Sequence, residues 1–122
     1  MPDQAPETHV VSLGRALLVA LPETMQDGMV NHLVSEIGDR IVATAVHRVL
    51  IDASRTRFID SFMGKALAGI ATMARLLGSE TTLVGLRPEV AITLVELGMD
   101  LSAISTCLSV EMALEASGSG TG

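Results

Sequence analysis

An acid followed at once by a hydroxyl, Asp60–Ser61, sits inside the stretch "FIDSFMGKAL" at residues 58–67, where an apolar pair gives way to a helical pattern. An Asp at that point is a good N-cap, because its carboxylate accepts the free N–H groups of the first turn. Ser61 is then the first helical residue, its hydroxyl projecting from the loop surface. Two readings fit the pair. One is plain capping, which asks nothing more of the serine. The other is phosphoryl acceptance: a phosphate on Ser61 meets free N–H groups and the positive end of the helix dipole, a gain of about 0.3–1 kcal/mol when exposed. Arg55 and Arg57, just upstream, can add charge-assisted bonds, whereas Asp60 repels a second anion. Such a modification leaves the fold standing and changes the local field strongly.

Other chemistries find weaker footing. Asp52 and Asp60 flank one loop, a spacing open to a divalent cation or an acid–base pair, although a structural Asp closing a strand explains Asp52 more simply. His9, His32 and His47 are isolated, and Cys107 has no neighbour in sequence that would complete a zinc site. "DSFMGK" lacks the upstream glycine of a phosphate loop, and no nucleophile elbow is present. The expectation is no metal, no cofactor and no enzyme activity.

The elements that position the turn follow from periodicity. "THVVSL" and "RALLVAL" are short apolar runs split at Gly14, which reads as a hairpin. Residues 27–45 carry Val30, Leu33, Val34, Ile37 and Ile41 at helical spacing. Residues 47–53, "HRVLIDA", form a continuous apolar run of the kind found in buried parallel strands. Met63, Ala66, Leu67, Ile70, Met73, Ala74 and Leu77 share one helical face that ends at Gly78. "TTLVGL" is a strand, and "RPEVAITLVELG" a short helix opened by Pro88. Its apolar residues occupy two sides: Val90, Leu94 and Leu97 on one, Ile92, Val95 and Met99 off it. Either a partner covers the second side or the helix is buried on both. A weak strand at residues 104–108 and a helix at residues 110–116 close the order β-β-α-β-α-β-α-β-α. This predicts an α/β domain: a mixed, largely parallel sheet opened by a hairpin, with about four helices. Sites in such sheets gather at the carboxyl ends of the strands, where the Asp60–Ser61 turn lies.

Composition bounds the function. The chain has 122 residues, enough for one domain, and only two of them are aromatic, both Phe. A net charge of −6 without a basic stripe argues against nucleic acid. Charged residues interrupt every apolar run before it reaches membrane-spanning length. The lone Cys107 rules out an internal disulfide and fits a cytoplasmic setting. Mean hydropathy is +0.48, high for so small a domain, so either the core is rich in Ala, Val and Leu or apolar surface is covered by copies or partners. Residues 1–7 read as a flexible lead-in rather than a signal peptide, residues 8–117 as the domain, and residues 118–122 as a disordered tail.

The run "VLIDASRTRFIDS" resembles the strand–loop–helix signature of the STAS family: an apolar strand ending in Asp, a short loop, then an apolar pair and Asp-Ser. "GSETTLVGLRPEVAITLVELGMDL" is similar to the stressosome branch, RsbS-type scaffolds and the STAS half of RsbR-type proteins. The resemblance covers about residues 8–117. It implies a STAS fold and a non-enzymatic stressosome scaffold that self-associates and assembles with RsbR-type paralogues. An RsbT-type serine kinase would bind a surface of Asp60, Ser61, Phe62, Arg55 and Arg57, phosphorylate Ser61 and thereby be released; a PP2C-type phosphatase would reset the serine. Simple anti-sigma factor antagonists read Asp-Ser-Ser-Gly at the helix start, whereas here Phe62 and Met63 follow Ser61. That departure favours the stressosome type over the alternative, a free anti-sigma factor antagonist. Arg55 stands where the family often has Gly, and neither a sensory domain nor an acceptor threonine is present, which favours the minimal scaffold.

Overall fold

The structure, a computed structural model, describes residues 9–119. The expected lead-in, residues 1–7, lies outside the described residues, as do residues 120–122 of the expected tail. The elements are β1 (His9–Leu13), β2 (Ala16–Ala20), α1 (Asp27–Thr44), β3 (Arg48–Asp52), α2 (Ser61–Leu76), β4 (Glu80–Val84), α3 (Pro88–Glu96), β5 (Ile104–Cys107) and α4 (Val110–Ser119). Their order is the one read from the apolar periods. The last helix runs past residue 116, its expected end.

The five strands lie in the sheet in sequence order, β1-β2-β3-β4-β5. β1 pairs antiparallel with β2 across a turn at Gly14, and every later pair is parallel. Because each crossover steps in the same direction, right-handed connections put successive helices on one face. Leu17, Val19, Val49, Ile51 and Leu83 accordingly pack with Val30, Leu33, Ile37 and Ile41 of α1 and with Leu67, Ile70 and Ala74 of α2. The opposite face turns Ala16, Leu50 and Val84 toward Ala113 of α4. β3 is thus covered on both sides, which is why its sequence is apolar without alternation: Val49, Leu50 and Ile51 are all 0% exposed. Among the described residues no helix is long and apolar enough to cross a membrane.

Two helix expectations change. Leu77 was expected on the buried face of α2 but is 42% exposed. The helix ends one residue earlier, and the chain turns away through Leu77 into Gly78 at φ 89°. In α3, Val90 and Leu94 are buried, while Ile92 and Val95 are 58% and 77% exposed. Burial of that helix on both sides is therefore excluded, and its second apolar side faces solvent within this chain.

Two glycines of α2 differ in what they permit. A Cβ on Gly64 would stand 3.1 Å from Cγ and Sδ of Met99, so the first turn of α2 comes down closely on the connection after α3. A Cβ on Gly69 would meet open space. Gly69→Ala is accordingly expected to raise stability by about 0.5–1 kcal/mol, since alanine gives up less backbone freedom in a helix. Gly64→Ala should lower it. Urea unfolding of the two variants checks the contrast.

Candidate functional site

The carboxyl ends of β2, β3 and β4 converge through their first loop residues. Leu21 N donates to Asp52 O (3.0 Å), Ala53 N to Val84 O (2.9 Å) and Gly85 N to Cys107 O (2.9 Å). Asp52, half-buried, accepts from Ser54 N at 3.0 Å through Oδ1 and turns the chain off β3. Its carboxylate is therefore used in a local turn. Ser54 is held from the other side, its carbonyl accepting from Nε of Arg87 at 3.0 Å. Gly85, at φ 67°, approaches so closely that an added Cβ would lie 3.0 Å from Cβ of Ser54.

Thr56 fixes the middle of the β3–α2 loop. Its side chain is buried, and its Oγ1 donates to the carbonyl of Pro22 at 3.1 Å. Next to it, Arg57 N donates to Glu23 O (3.3 Å), and Arg57 Nε pairs with Glu23 Oε2 at 3.2 Å. Both of those side chains are more than half exposed, so the ion pair is worth little. In the structure Arg57 rests against Glu23 rather than beside Ser61. Arg55 is exposed, and among the described residues it is in no ion pair.

Beyond Arg57 the apolar pair divides. Ile59 joins the core beneath α1 and α2, while Phe58 points out and is 70% exposed. Asp60 is extended (φ −119°, ψ −178°) and accepts from Met63 N at 2.9 Å, the expected N-cap bond. Gly64 N donates to Asp60 O at 2.9 Å and starts the helical ladder. Ser61 is thereby the first residue of α2, and it is exposed. Phe62 follows at 38% exposure. The chain's two aromatic residues thus bracket the exposed serine, in solvent rather than in the core. Composition alone did not reveal this. The one available signal was that both Phe residues fall within four positions of Ser61. Phe58, Asp60 and Met63 also border a cavity of about 250 Å³ that reaches Leu21 and Met25 at the end of β2.

The remaining candidates lie apart from this turn. His32 is exposed on α1, 4.0 Å from Glu36, and His47 stands 3.4 Å from Arg15 at the opposite ends of the strands. Among the described residues, no group of three or more His, Cys, Asp or Glu side chains is placed to hold a metal ion.

Residues 7–113 match the family model of the STAS domain. The chain belongs to the STAS family. This STAS domain is similar to a solved serine-to-glutamate variant of RsbS from Moorella thermoacetica: 31% identity, TM-score 0.79, covering 89% of this chain and 92% of that one. It is also similar to a chain from the solved architecture of the stressosome, described as a signal integration and transduction hub: 34% identity, TM-score 0.77, covering 88% of this chain and 93% of that one. The RsbT co-antagonist protein RsbRD of Bacillus subtilis is 29% identical over 82 residues, which are 67% of this chain and 30% of that protein. The chain therefore spans under a third of that relative's length.

Two expected outcomes test the geometry. Thr56→Val keeps the shape and strands the Pro22 carbonyl, so it should cost about 1–3 kcal/mol in thermal or urea unfolding. Asp60→Ala should cost about 0.5–2 kcal/mol and speed hydrogen exchange at Met63 N–H, while Asp60→Asn retains most of the cap.

Proposed function

We propose that this STAS domain is a non-enzymatic stressosome scaffold whose Ser61 is phosphorylated to release a bound kinase. The observation carrying this reading is an exposed hydroxyl at the start of α2, bracketed by exposed Phe58 and Phe62. Aromatic side chains held in solvent are the usual anchors of protein–protein contacts. Likeness over nearly the whole chain to RsbS and to a stressosome chain supports it. The kinase is of the RsbT type, and assembly involves further copies and RsbR-type paralogues in the cytoplasm. A PP2C-type phosphatase resets the serine.

The chemistry asks little of this chain. The kinase moves the γ-phosphoryl group of ATP onto Ser61 Oγ: the bond from that phosphorus to the β–γ bridging oxygen breaks, ADP leaves, and the serine proton passes to a base on the kinase. The dianion then stands next to the Asp60 carboxylate, at the centre of the proposed contact. The N–H groups at the start of α2 keep it compatible with the fold. Its charge makes renewed burial beneath a partner costly. Asp60 caps the helix, Phe58 and Phe62 anchor the kinase, and Arg55, with Arg57 on Glu23, sets the positive side of the field.

The test is incubation of the purified domain with the RsbT-type kinase of the same genome and ATP, followed by phosphopeptide mapping and binding calorimetry. Phosphate is expected on Ser61. Ser61→Ala should remain folded, take up no phosphate and hold the kinase within about twofold of wild type. Ser61→Asp should weaken binding by about tenfold, or ~1.4 kcal/mol. Phosphate mainly at another residue would refute the assignment.

A further inference from the structure

A groove of about 520 Å³ lies between α1 and α2, open to solvent. Its α2 wall begins at Phe62, the residue after Ser61, and continues through Lys65 to Gly69; Asn31 and Ser35 line the α1 side. Three features stand out. First, Phe62 belongs both to this groove and to the exposed surface around Ser61, so the two are continuous. Second, Gly69 leaves the far end of the groove bare although α2 has open space for a side chain there. The fold does not demand a glycine at that position. Third, among the described residues Lys65 is the only charged one lining the groove, a cation in a chain of net charge −6. It is exposed, and among the described residues it is in no ion pair.

We propose that this groove docks an apolar segment bearing a carboxylate, contributed by the same serine kinase that modifies Ser61, with Lys65 as the counter-ion. The proposal rests on the reading of Ser61 as the phosphoacceptor. An enzyme whose active site reaches Ser61 Oγ must cover Phe62, and the surface leading away from Phe62 along α2 is this groove. Its apolar and small residues fit an apolar segment. Its single positive charge, on an otherwise acidic protein, selects for an acid.

The arrangement also supplies a route for release. Lys65 lies four residues after Ser61, one turn along the same side of α2, with the anion toward the helix N-terminus, the more favourable orientation for such a pair. A phosphate on Ser61 competes with the docked carboxylate for the Lys65 ammonium. Modification thus weakens the groove contact as well as charging the turn.

The test uses the full chain and the RsbT-type kinase with a non-hydrolysable ATP analogue. Gly69→Leu, which fills the groove, should weaken binding at least tenfold while melting no lower than Gly69→Ala by more than a few degrees. Lys65→Gln should weaken binding about fivefold at low salt and remove most of its salt dependence, and Lys65→Arg should restore both. Enzymatic or genetically encoded phosphoserine at position 61 should weaken binding less in Lys65→Gln than in wild type. If Gly69→Leu and Lys65→Gln both bind within twofold of wild type while Ser61 is still phosphorylated, the kinase docks elsewhere and the groove proposal falls, with the proposed function intact. If Gly69→Leu alters only the sedimentation of the protein alone, the groove seats a second copy and the proposal is likewise overturned. Absence of phosphate from Ser61 in wild type instead removes the reading on which it rests.

Discussion

One buried hydrogen bond, from Thr56 Oγ1 to the carbonyl of Pro22, holds the loop from which the site is built. It ties the middle of the loop to Pro22, while Ala53 N–Val84 O, Ser54 N–Asp52 Oδ1 and Arg87 Nε–Ser54 O hold its beginning. The threonine side chain is only 5% exposed, so its hydroxyl and the proline carbonyl have little access to water as an alternative partner. The cost of leaving either unpaired makes the tie strong for its size. The adjoining Arg57–Glu23 contacts repeat the connection on the outside, where water screens them. Beyond Thr56 the side chains of the loop divide between solvent and core. Phe58 turns out, Ile59 turns in, and Asp60 arrives extended, ready to cap α2.

The layering explains the high mean hydropathy, for which a rich core and a covered surface were both candidates. Both contribute. The two-faced burial of β3 and the packing of α1 and α2 need a long inventory of aliphatic residues. Yet α4 is the helix packed against the second face of the sheet, and it contacts β3, β4 and β5. On the hairpin side of that face, Val11 and Leu13 remain 48% and 37% exposed. Ile92 and Val95 add a second apolar region on α3. Apolar area of this kind, distributed over separate faces of a small domain, suits a protein that meets neighbours on several sides.

Much of this was readable from local patterns because local physics controls it. The nine elements emerged from apolar period, from Pro88 at a helix start and from Gly14 and Gly78 at turns. The Asp60 cap was legible because a cap depends on residues only three positions apart. Features decided by distant partners were not. The sequential strand order depends on which strands pair and on the hand of each crossover. The burial of Thr56 depends on Pro22, and the contact of Arg57 depends on Glu23, neither of them near in sequence. Leu77 obeyed the helical period, but the helix ended before it. Exposure of Phe58 and Phe62 ran against the ordinary preference of aromatic residues, and such departures arise where something other than stability shapes a surface.

A switch built on this turn needs no second conformation of the domain. Ser61 is exposed in the first turn of α2 and takes no part in the core, so a group added to it disturbs no packing. The backbone N–H groups and the helix dipole tolerate the new anion. A ligand or modification can shift an equilibrium only by its differential effect on the two states. Here the states to compare are partner-bound and partner-free, not two folds. In solvent the dianion is hydrated; beneath a partner that hydration is lost, and Asp60 adds repulsion at short range. Under the proposed function, the coupling between modification and release would reside in the desolvation of this turn, together with the competition for Lys65.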